Sequence, residues 1–190
     1  MNRHFVAFLV VMAGMLETNL ASAQNYTATQ GDILVLGTAN TRSWSLQTRD
    51  LYCQSAITVS ADKMKISSLT FRVKAEDLKG HNVWMNRWAY KALKSYPFES
   101  IIYRGVLFTA TVESENNFII KIEGNLTIAG ITRITPLLVK AIVDEQGNIL
   151  CTGSTAIKMS DFKVQLPPSE NRRMEVGDEV IMSFSLELHP

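Results

Sequence analysis

Apolar and polar residues alternate with a period of two along most of this chain, in stretches separated by polar turn residues. Ile33 to Thr38 opens the series, and Cys53 to Ser60 follows. In Ser68 to Ala75, Leu69, Phe71 and Val73 point one way while Thr70, Arg72 and Lys74 point the other. Ile101 to Val112 is apolar on both faces. Phe118 to Ile128 sets Phe118, Ile120, Ile122, Leu126 and Ile128 against Lys121, Glu123, Asn125 and Thr127. Ile134 to Val143, Ile149 to Met159 and Glu179 to Leu188 complete the pattern, the last with Met182, Phe184, Leu186 and Leu188 opposite Ser183, Ser185 and Glu187. This template predicts about eight strands.

The connections between them predict how the strands pair. Glu115-Asn116-Asn117 and Glu145-Gln146-Gly147-Asn148 are short polar turns of the kind that close hairpins, which makes the sheet antiparallel. One stretch breaks the alternation: Asn82 to Lys94, bounded by Gly80 and Pro97, reads as a helix capped by Asn82, with Trp84 and Trp88 one turn apart on a shared face. A sheet of this many strands with no second layer closes most simply into an all-β, antiparallel barrel carrying one helical insertion; a two-sheet sandwich is the alternative.

The N-terminus changes the picture of where the barrel works. Arg3 and His4 precede the apolar run Phe5 to Leu16, and Ala21-Ser22-Ala23 follows, the order of a secretory signal peptide cleaved after Ala23. That run is too short for the roughly 20 apolar residues that span a bilayer. Residues 1–23 are therefore expected to be removed, leaving 24–190 as one exported domain that does not span the membrane.

Charge and candidate chemistry narrow the function. With 19 basic and 18 acidic residues the net charge is +1, and the signs are interleaved, which argues against nucleic acid as a partner. His81 and His189 have no second histidine at metal-ligand spacing, the cysteines form no C-x-x-C, and no nucleophile elbow or phosphate-cradling loop occurs; no metal, cofactor or catalytic residue is expected. His81 reads as a loop residue and His189, next to the C-terminus, as frayed. Asp161 is expected to bond loop backbone. Cys53 and Cys151 fall on apolar strand faces, where a disulfide and two buried free thiols are both open. The apolar faces suggest a barrel interior lined by Phe71, Val73, Val106, Phe108, Ile120, Ile122, Val139, Phe184 and Leu186, with Trp84 and Trp88 at its mouth, either lining it or sealing it. A self-filled core would use the same residues.

Four segments carry a family resemblance. Gly124 to Lys140 (GNLTIAGITRITPLLVK) resembles the glycine, Leu-Thr-Ile, Gly-x-Thr run of the YceI-like family. Met85 to Lys94 with Tyr96-Pro97 is similar to its helix and the Tyr-Pro that follows. Met159-Ser160-Asp161-Phe162, Pro167-Pro168 and Val176-Gly177-Asp178-Glu179-Val180 resemble its closing elements. Gly37-Thr38 with Trp44 is similar to the opening signature, with Ala39 where many members have serine. These occur in family order over nearly all of 24–190, and the chain resembles a short branch. The resemblance implies a lipocalin-like barrel in an exported or periplasmic protein that holds a polyisoprenoid in an apolar channel. A homodimer is among the states it implies. Arg172 and Arg173, before the last strand, are candidates to meet a charged head group, against the plainer reading of solvated loop charge.

Overall fold

The structure, a computed structural model, describes residues 23–40, 42–60, 62–164 and 176–190. Eight antiparallel strands run in chain order and close: β1 (Gln24–Ala39), β2 (Arg42–Ser60), β3 (Lys63–Lys74), β4 (Ser100–Ser114), β5 (Asn117–Ile128), β6 (Ile131–Val143), β7 (Ile149–Lys158) and β8 (Val176–Leu188), with β8 pairing back onto β1. Every strand expected from the alternation is present, and closure removes the sandwich alternative. β1 and β2 begin well before the expected Ile33 and Cys53. Gln24 to Gly31 and Arg42 to Tyr52 are too polar to read as strands, yet Tyr26, Ala28, Leu46 and Thr48 on them are buried. His189 is not frayed, because its main chain exchanges two hydrogen bonds with Thr27 (2.8 and 2.9 Å).

The one helix, α1 (Val83–Leu93), lies between β3 and β4 with both ends capped. Asn82 Oδ1 accepts from the Met85 amide at 2.8 Å, and Lys94 takes the left-handed conformation (φ 51°) that stops the helix. Ala89 and Ala92 are its buried residues, and small side chains there let the helix lie close across one end of the barrel.

Two strand pairs are incomplete, and their splaying shapes the interior. β3 pairs with β4 only over Thr70–Lys74 and Ser100–Arg104, at the α1 end. β6 pairs with β7 only over Leu138–Val143 and Ile149–Ser154, at the far end. The barrel therefore widens between β6 and β7 toward α1. A 3-10 turn, Met159–Phe162, fills that wedge and is tied down on both sides. Arg133 Nε donates to the Asp161 carbonyl (3.1 Å), and the Ser160 amide and hydroxyl donate to Asp178 (2.8 and 2.7 Å). The contact at Asp161 is its main-chain carbonyl with the Arg133 side chain, in place of the expected side-chain bond to loop backbone. On the side of β5, β6 and β7 the far end is closely packed: Phe118, Ala141 and Ile149 are almost wholly inaccessible.

Candidate functional site

The barrel interior holds two adjacent hollows. An inner pocket of about 130 Å³ lies midway along the barrel. A wider chamber of about 890 Å³ adjoins it toward α1. Val35, Leu78, Ile101 and Met182 border both and form the boundary, here called the neck, where the two meet. Several inward-facing side chains, among them Ile66, Leu69, Phe71 and Phe184, are only partly buried. Their remaining surface faces this space, as expected of side chains lining a hollow and not a close-packed core.

Seven of the nine residues expected to line the interior do so: Phe71, Val73, Ile120, Ile122, Val139, Phe184 and Leu186 border the inner pocket. Val106 does not. It is 67% exposed, and Leu107 beside it is 57% exposed. A bulge between Gly105 and Leu107 inserts one residue into β4 opposite Gly124 and Glu123, so both side chains leave on the outer face and the inward set resumes at Phe108. Phe108 packs against the core with its ring over Gly105 but borders neither cavity. Strict period-two counting cannot anticipate the bulge, because it changes which parity faces inward partway along the strand.

The inner pocket offers a guest no charge and no free hydroxyl proton. No charged residue borders it. Every hydroxyl along it is already engaged by the protein: Tyr103 donates to the Thr135 carbonyl (3.0 Å), Ser55 to that of Ser68 (2.7 Å), Thr135 to that of Arg133 (3.5 Å), Thr155 to that of Pro136 (3.3 Å), and Ser183 to Ser154 (3.2 Å). Burial pushes the Tyr103 hydroxyl up to about 12, helped by the Glu123 carboxylate, so it stays protonated.

Cys53 and Cys151 also border this pocket, as free, buried thiols. No disulfide joins them in this structure. Burial pushes both thiols up to about 12, and for Cys151 the neighbouring Cys53 adds to the effect. Each therefore behaves as a small apolar lining residue.

The wider chamber was largely missed by pattern counting, because its walls come from strand ends, α1 and the 3-10 turn. Trp44, Leu46, Met85, Ile157, Phe162 and Val180 contribute. Trp44 crosses the position opposite Gly37 in the β1–β2 ladder, and a side chain on Gly37 would collide with the indole, which accounts for a glycine there. Its Nε1 donates to the Thr38 carbonyl at 3.2 Å. Trp84 and Trp88 stand at the chamber rim, 68% and 39% exposed, so they border the opening without sealing it. Polar groups gather only there: Arg42, Ser43, His81 and Asn82 line the chamber, and His81 Nε2 meets Asn82 Nδ2 at 2.8 Å. Arg172, Arg173, Pro167-Pro168 and the expected signal segment up to Ser22 lie outside the described residues. Among the described residues no cluster of His, Cys, Asp or Glu could hold a metal, and no helix is long and apolar enough to cross a membrane.

Known structures share this architecture. Burkholderia cenocepacia BcnA superimposes with a TM-score of 0.67 at 14% identity, over 83% of this chain and 95% of that one. A polyisoprenoid binding domain from Saccharophagus degradans, implicated in plant cell wall breakdown, gives a TM-score of 0.68 at 9% identity, over 88% and 98%. The Campylobacter jejuni YceI protein gives 0.55 at 18% identity, over 71% and 79%. At these identities the likeness is one of fold. No curated protein matches the chain by sequence. The YceI-like domain, as a sequence family, matches residues 35–188, from the neck of the hollow on β1 to the last residue of β8. By that match, and by the eight-stranded closed barrel beneath it, this chain belongs to the YceI-like family.

Proposed function

We propose that this chain is an exported binding protein, not an enzyme, that carries or scavenges a long-chain apolar molecule, an isoprenoid or related lipid. The observation that carries this reading is the inner pocket: apolar walls, no charge, and every hydroxyl already donating within the protein. A polar guest placed there would lose its water and find no free hydroxyl donor and no charge, at a cost of several kcal/mol for each acceptor left unpaired. An apolar one gains about 25 cal/mol for each Å² removed from water, or about 2–3 kcal/mol for each five-carbon unit before ordering costs. The wider chamber falls within the usual range of ligand sites, roughly 300–1,000 Å³. The inner pocket alone, about 130 Å³, is below that range and by itself would suit the rival reading, a solid-cored barrel acting as an envelope protein-interaction module; the carrier reading needs a guest that also occupies the chamber.

The gradient from apolar pocket to polar rim orients the guest. Its tail enters past the neck at Val35 and Met182, and its polar end stays near Arg42 and His81. The test is native mass spectrometry of protein from its own host, together with melting curves over a series of polyprenols of increasing length. A ligand at 100 times its Kd adds about 2.7 kcal/mol and raises Tm by roughly 5–10 °C for a chain of this size. Empty protein from the host together with no rise for any polyprenol would sink the proposal.

A further inference from the structure

The charge of this chain is balanced overall but not locally. From Lys79 to Phe98 the sequence holds four basic residues, Lys79, Arg87, Lys91 and Lys94, and no acidic one, in a chain whose net charge is +1. All four are exposed. α1 sits at the centre of this segment, and its outward face is unusual in composition. Ala89, Ala92 and the partly buried Met85 and Leu93 turn toward the barrel, while Val83, Trp84, Arg87, Trp88 and Lys91 turn toward solvent. Trp84, Arg87, Trp88 and Lys91 follow the i, i+3, i+4, i+7 spacing of one helical stripe. Arg87 lies over the Trp84 ring at 5.4 Å. Just beyond the helix, Tyr96 is 90% exposed and Phe98 41%. Acidic residues flank the segment: Asp77 is half-buried, Glu99 is exposed, and the exposed Glu76 is engaged, its carboxylate accepting from Ser95 Oγ at 2.8 Å and its carbonyl from the Tyr90 hydroxyl at 2.7 Å.

Tryptophan and tyrosine with interleaved lysine and arginine is the composition that settles at a lipid headgroup layer. The rings sit at the boundary and the cations meet anionic lipid. Leaving such rings in water needs a compensating role, because Val83 and Trp84 have only solvent against two-thirds of their surface. The position of the stripe supplies one. Trp84 and Trp88 belong at once to this outward face and to the rim of the wide chamber.

We propose that the outward face of α1, with Tyr96 and Phe98, docks the mouth of the barrel onto an anionic bilayer surface. An apolar guest then passes between bilayer and chamber without crossing water. The docking contact stands on the helix face alone; its use for loading rests on the carrier reading above.

The two are separated by measuring them apart. Empty protein is mixed with vesicles of phosphatidylglycerol and phosphatidylcholine, or of phosphatidylcholine alone, and followed by co-sedimentation and tryptophan emission. Docking predicts partition onto the anionic vesicles with a blue shift, weakening as salt rises. The double variant R87E/K91E, neither position of which borders a cavity, should lose at least about tenfold in partition. Its polyprenol-induced rise in Tm should match that of the unaltered chain. V83D, also outside both cavities, should reduce the blue shift in the same way. Absence of partition at low salt, or partition that R87E/K91E and V83D leave unchanged, overturns the docking proposal whatever the outcome for ligand binding.

Discussion

Ile122 and Val106 are both β-branched residues of adjacent strands, and the structure gives them opposite surroundings. Ile122 is 4% exposed against the inner pocket, while Val106 stands outside on the bulge of β4. Ile122→Ala should cost about 2–4 kcal/mol, somewhat relieved because one side of the residue already faces empty space. Val106→Ser should stay within about 0.5 kcal/mol. Denaturant melts of the two variants check the bulge directly, since strict alternation would predict similar losses. The thiols supply a second prediction. Their pKa is raised by burial from about 9 to about 12, so the neutral form is the folded one and the unfolded chain gives up these protons first. Their contribution to stability is thus complete below about pH 9 and is lost as pH rises toward 12. Native protein at pH 8 should react with a thiol reagent far more slowly than unfolded protein, and Cys53→Ala with Cys151→Ala should flatten the alkaline fall in Tm. A disulfide would instead leave no reactive thiol even after unfolding.

Among the elements, the strands were legible wherever both faces keep one character for several residues. β5 and β8 are such cases: every apolar residue assigned to the inner face of β8 borders a cavity. The starts of β1 and β2 were not legible, because their inward positions are filled by Tyr, Ala and Thr among polar neighbours, and only pairing with the adjacent strand makes them β. Nor was the widening between β6 and β7, which depends on where two strands stop pairing. The β7–β8 ladder carries a testable close contact. Gly153 lies opposite Phe184, and a methyl there would stand 2.6 Å from the ring and 2.9 Å from the Leu138 carbonyl. Phe184 in turn faces Phe71 across the pocket, ring centres 6.4 Å apart. Gly153→Ala should push the Phe184 ring into the hollow, costing about 1–3 kcal/mol and abolishing most of the polyprenol-induced rise in Tm. Melting curves with and without ligand report both effects. Unchanged ligand response in a destabilised variant would mean the inner pocket is not where the guest lies.

For the whole molecule, the splayed strand pairs divide the barrel unevenly. β4 beyond Arg104 and β3 before Thr70 each lack a partner on one side, whereas β5 is paired along its full length with β6. Amide hydrogen exchange should therefore run faster in alternate residues of Lys63–Leu69 and Gly105–Ser114 than anywhere in Phe118–Ile128. Slow exchange throughout both segments would contradict the splaying. The barrel as a class was readable from alternation. Its hollow was not, since the same inward residues would serve a filled core, and the distribution of space depends on the bulge, the neck and the wedge together.

The placing of the wide chamber toward α1 limits how such a vessel could be used. For a guest held as proposed, the wide chamber beside α1 is both entrance and exit, so the end that went in last comes out first. Donor and recipient must then visit the same rim by turns. Traffic through such a carrier would be a relay of handovers at one rim.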